Sequence, residues 1–95
     1  MTRVEILLEC LAEECAEVAQ RVCKAQRFGL EEVQPGQRYT NEQRINLELC
    51  DLVTVVQMLE ELGLALFPEV SAEKRVKVEK HLELSRSLGR LTSDF

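Results

Sequence analysis

Two acids stand inside the apolar stripe of an otherwise ordinary amphipathic helix. Ile45, Leu52, Val55, Leu59 and Leu62 recur at helical spacing, and a rotation of about 100° per residue puts Glu48 and Asp51 among them, away from Gln57 and Glu61. The preceding helical segment carries a second pair, Glu14 and Glu17, at the same i, i+3 spacing. Residues three apart share a helical face, so each pair presents two carboxylates side by side. Withdrawing an unpaired carboxylate from water costs several kcal/mol, and two like charges ~4 Å apart repel by ~4 kcal/mol at an effective dielectric of ~20. A divalent cation removes both penalties, which makes a shared cation site the arrangement that best reconciles these acids with a burying face.

The rest of the pattern is helical. From about Thr2 to Arg27, Leu8, Leu11, Cys15, Val18, Val22 and Ala25 alternate at three and four, a coiled-coil-like seam, and Thr2 with Glu5 forms a capping box. Gly29 and Pro35-Gly36 interrupt the stretch from Phe28 to Thr40, and a loop that long in so small a domain is usually functional or disordered. Thr40 and Gln43 open a second helix that runs to about Leu62 and stops at Gly63. Leu64 to Val70 reads as a connector, and Ser71 starts a third, weakly amphipathic helix that ends near Leu88 at Gly89. On it, Val78 and Leu82 make a thin apolar line beside Lys74, Lys77 and His81.

With 45% hydrophobic but only 4% aromatic residues, no Trp and two Pro, the 95-residue chain suits one all-α domain. Two long helices form an antiparallel hairpin that cannot cover both of its apolar faces. The expected fold is that hairpin plus a C-terminal helix, oligomerising into a four-helix-bundle core as a homodimer or homotetramer. A net charge of -5 argues against general nucleic-acid binding. Cys10, Cys15, Cys23 and Cys50 lack metal or redox spacing and read as small buried thiols. No signal-peptide pattern appears, nor any apolar run near the ~18 residues of a membrane span, so the expectation is a soluble, cytoplasmic chain without a membrane partner.

In an antiparallel hairpin, Glu14 and Glu17 can be level with Glu48 and Asp51, and oxygen-only ligands select Mg2+ or Mn2+. A carboxylate-bridged di-iron bundle is disfavoured, because its Glu-x-x-His motif is absent and His81 is the only histidine. On the first helix the acidic face continues through Arg21 and Lys24 toward Phe28. Acid, base and aromatic in that order suit a metal-bound polyphosphate, with Phe28 or Tyr39 available to a base.

Glu13-Glu14-Cys15-Ala16-Glu17 followed by Glu48-Leu49-Cys50-Asp51 resembles the EExxE and ExxD pair of the MazG-like all-α nucleoside triphosphate pyrophosphohydrolases, in particular their short, single-domain, phage-type members. The flanking Lys24-Ala25-Gln26-Arg27-Phe28-Gly29 and the loop with Pro35-Gly36 are similar too. The resemblance implies Mg2+ on Glu14, Glu17, Glu48 and Asp51. It also implies Glu13 as the group that orients or deprotonates water, and hydrolysis of nucleoside triphosphates to a monophosphate and pyrophosphate. Arg21, Lys24, Arg27, Phe28, Tyr39 and Lys77 are the candidate substrate contacts. Two blander readings compete: the acids form a solvated face, or the chain is a non-catalytic helical module that binds a nucleotide or protein partner through the same groove.

Overall fold

The computed structural model describes residues 1–95 as three helices without a strand, α1 (Arg3–Phe28), α2 (Asn41–Glu61) and α3 (Ala72–Ser87). Both capping boxes form. The Thr2 hydroxyl accepts from the Glu5 N–H at 3.1 Å while Glu5 accepts from the Thr2 N–H at 3.2 Å. Thr40 and Gln43 repeat the exchange at 3.1 and 2.9 Å. Two donors that a helix start leaves unpaired are thereby satisfied at each end. At the other end of α1, Gly29 turns the chain out with φ 97°, a left-handed value that a side chain disfavours, and its N–H still reaches the Ala25 carbonyl at 2.8 Å.

α1 and α2 pack antiparallel. At the open end of the hairpin Leu7 and Leu59 are both buried, and Arg3 and Leu7 share a crevice with Met58, Glu61 and Leu62. At the loop end Ala25 and Asn41 are buried. Each step along α1 is matched by a step back along α2, so Glu14, Glu17 and Arg21 come level with Asp51, Glu48 and Arg44 respectively. The inward faces read Val4, Leu7, Leu11, Glu14, Val18, Arg21 and Ala25 on one helix and Ile45, Glu48, Leu52, Val55 and Leu59 on the other.

Asn41, only 2% exposed, ties the loop down. Its Nδ2 donates to the Gly29 carbonyl at 2.8 Å and to Glu32 Oε1 at 3.3 Å. The Asn41 and Glu42 N–H groups bond to the Glu32 and Leu30 carbonyls at 2.9 and 3.0 Å. The first half of the loop is thus fastened to the start of α2, whereas residues 33–39 hold one backbone bond, Gln37 N–H to Gln34 carbonyl at 2.9 Å.

The apolar stripe of α1 divides differently from the expected seam. Leu11, Val18 and Ala25 face α2, but Leu8, Cys15 and Val22 are exposed, because one neighbouring helix covers only part of a stripe that wide. The same geometry leaves Cys15, Cys23 and Cys50 exposed and Cys10 half-buried, so the thiols are free and mostly uncovered rather than core residues. α3 packs against neither α1 nor α2, and none of its residues is buried. The radius of gyration is 16.8 Å, against about 12 Å for a compact chain of this length. With four residues buried in all, the hairpin has a seam rather than a core. No helix is long and apolar enough to cross a membrane.

Candidate functional site

Midway along the hairpin seam, oxygens of Glu14, Glu17 and Glu48 lie within 4.8 Å of one another. The helices impose this. Glu14 and Glu17 are a turn apart on α1, and the antiparallel register brings Glu48 of α2 to the same level. Glu14 and Glu48 are half-buried, Glu17 and Asp51 exposed. Glu14 Oε2 and Glu48 Oε2 are inaccessible to solvent and have no hydrogen-bond partner.

Electrostatics at these groups runs one way. Partial burial raises the Glu14 pKa above the usual glutamate value, and the neighbouring Glu17, Asp51 and Glu13 charges raise it further. Burial also raises the Glu48 pKa, reinforced by the close approach of the Glu17 carboxyl and by the Glu17, Asp51 and Glu14 charges. No basic residue offsets either shift. The only ion pairs in the chain are those of Arg86, with Asp94 at 2.7 Å and Glu83 at 3.8 Å, at the end of α3. Clusters of exposed acids commonly hold nothing. Two inaccessible carboxylate oxygens without a donor distinguish this one, and an oxygen donor set of this kind fits a hard divalent cation.

Of the residues singled out from sequence, Glu14, Glu17 and Glu48 form the cluster, while Asp51 acts on both Glu14 and Glu48 through its charge. Glu13 is exposed beside them and acts on Glu14. Arg21 and Lys24 continue the half-buried face of α1 toward the loop. Arg27 lies over the Phe28 ring at 5.8 Å, with both residues exposed at the helix end. Tyr39, under Arg38 at 5.7 Å, lines a groove with Glu42, Gln43, Asn46 and Leu47 that contains none of the four carboxylates. Lys77 belongs to α3, and nothing within one chain brings that helix to the hairpin.

Arg44 escaped the sequence reading. It lies half-buried four residues before Glu48, as Arg21 lies four after Glu17. Read from the open end toward the loop, α1 runs Glu14, Glu17, Arg21 and α2 runs Asp51, Glu48, Arg44, the same acid, acid, base sequence with the same three-then-four spacing on both helices. That mirrored spacing was visible in the chain once the two helices are read in opposite directions. Set against protein-family models, curated proteins and solved structures, the chain matches none.

Proposed function

We propose that the chain is a divalent-cation-dependent nucleoside triphosphate pyrophosphohydrolase that releases nucleoside monophosphate and pyrophosphate. The observation that carries this reading is the convergence of Glu14, Glu17 and Glu48 within 4.8 Å across two helices, with two of their oxygens inaccessible and undonated. The resemblance of these segments to the MazG-like EExxE and ExxD motifs supports it and supplies the reaction. Glu14, Glu17, Glu48 and Asp51 would hold Mg2+ or Mn2+, whose chemistry is to neutralise the triphosphate and stabilise the departing pyrophosphate. Glu13, exposed beside the cluster, would by the same resemblance orient a water and accept its proton as the water oxygen bonds to the α-phosphorus and the bond from that phosphorus to the bridging oxygen of the departing pyrophosphate breaks.

The uncovered Leu8, Cys15 and Val22 stripe, the unpacked α3 and the extended shape support assembly with further copies, closing a four-helix core. In that assembly α3 gains a surface to pack on. A nucleotide panel assayed for pyrophosphate release with and without Mg2+ tests the function. Metal-dependent release that falls by orders of magnitude in Asp51→Asn is the expected result. Nucleotide binding without turnover, indifferent to loss of the carboxylates, would instead identify a non-catalytic module.

A further inference from the structure

Arg21 and Arg44 present an unmet demand of the opposite sign one helical turn from the carboxylates. Arg21 Nε and Arg44 Nη1 are inaccessible to solvent and have no hydrogen-bond partner, and neither guanidinium belongs to any ion pair. This is unexpected for Arg21. A Glu four residues before an Arg is the favourable helical orientation, and Glu17 occupies that position. Glu48 is likewise four residues from Arg44, yet neither pair closes within 4.0 Å. The carboxylates turn toward one another, and the hairpin register sets the two arginines at one level between that cluster and the buried Ala25–Asn41 end of the seam. An inaccessible guanidinium nitrogen without an acceptor carries a desolvation penalty, and two cations at one level add repulsion. The fixed fork of donors on each guanidinium matches the oxygens of a carboxylate or a phosphoryl group bidentately.

We propose that Arg21 and Arg44 form an anion subsite for a phosphoryl group, one contributed by each helix, about 6 Å along the axis from the carboxylate level. The hairpin seam then holds a two-level site, cation on the acids and phosphate on the arginines. Phosphate as the anion rests on the nucleotide reading given above; the vacant donors do not depend on it. The subsite uses the same backbone register as the acids, so a polyphosphate spanning both levels is clamped lengthwise between α1 and α2. Lys24, half-buried a turn beyond Arg21, extends the positive field toward the loop.

Inorganic pyrophosphate in excess chelator is the probe, because it asks about the arginines without the metal or any turnover. Titration followed by the arginine Nε–H resonances of the full-length protein is expected to shift the Arg21 and Arg44 signals together. Arg44→Met or Arg21→Met should weaken pyrophosphate binding about tenfold or more, as expected for the loss of charge-assisted hydrogen bonds. Arg44→Lys should recover only part of the affinity, since it keeps the charge without the fork. Absence of pyrophosphate binding, or binding unchanged in both Met variants, overturns the proposal. So does an Arg44→Met variant that unfolds or falls apart into monomers, which would assign the donors to a carboxylate of a second copy. Pyrophosphate binding that needs both arginines, in a protein that hydrolyses no nucleotide, would uphold the subsite while overturning the enzymatic reading.

Discussion

At Glu48, partial burial and three neighbouring carboxylates act against ionisation, and nothing basic acts for it. The folded chain therefore keeps this proton to a higher pH than the unfolded chain does. Between the ordinary glutamate value of 4.5 and the raised folded value the unfolded state binds fewer protons, so stability falls as pH rises through that window and stays lowered above it. Glu48→Gln is expected to melt higher than the parent at pH 7 in chelator, with the advantage vanishing as pH drops below 4.5; thermal unfolding of both proteins across that range checks it. Mg2+ should reverse the order. A cation at a hundred times its dissociation constant stabilises the parent by about 2.7 kcal/mol, and Glu48→Gln should lose most of that shift. The acids were legible in the sequence because a charged residue in an apolar stripe breaks the helical pattern. Arg44 was not, since a lone arginine near a helix start looks like any solvated residue until the opposite helix is laid beside it.

Among the elements, α1 and α2 were written plainly into the chain: two capping boxes, a seam of period 3.5 and a glycine at each helix exit left little choice of boundary. Which side of α1 faces its neighbour was less legible, because a wide stripe offers two seams and only the packed helix selects one. Leu59, fully buried where the hairpin ends meet, should cost ~2–5 kcal/mol as Leu59→Ala. Asn41→Ala should cost ~1 kcal/mol by removing the bonds it donates to the Gly29 carbonyl and to Glu32. Urea unfolding measures both. Of the two glycines that interrupt the loop, Gly29 lies at the end that Asn41 pins, whereas Gly36 lies within residues 33–39, which hold one backbone bond. Amide exchange there should be fast in the free protein and slow with Mg2+ and a non-hydrolysable nucleotide, while residues 29–32 stay protected in both states.

For the whole molecule, shape outweighs sequence pattern. A chain that buries four residues and extends 49 × 40 × 18 Å leaves much of its apolar surface uncovered, and the proposed assembly would cover it. Sedimentation at micromolar concentration is expected to find a dimer or a multiple of it, and Leu8→Glu or Val22→Glu to dissociate it. Cys15, exposed in one chain beside these residues, should react slowly with thiol reagents in the assembled protein and quickly in the dissociated variants. The mirrored acid, acid, base order along the hairpin carries a consequence for folding. In the native register like charge lies against like, Glu17 with Glu48 and Arg21 with Arg44, whereas sliding one helix past the other by about a turn sets an acid against an arginine. The charge pattern of the hairpin and its apolar register therefore pull in different directions. Its apolar ends favour one alignment and its charged middle another, and the proposed cation and phosphoryl group would bring the two preferences into agreement.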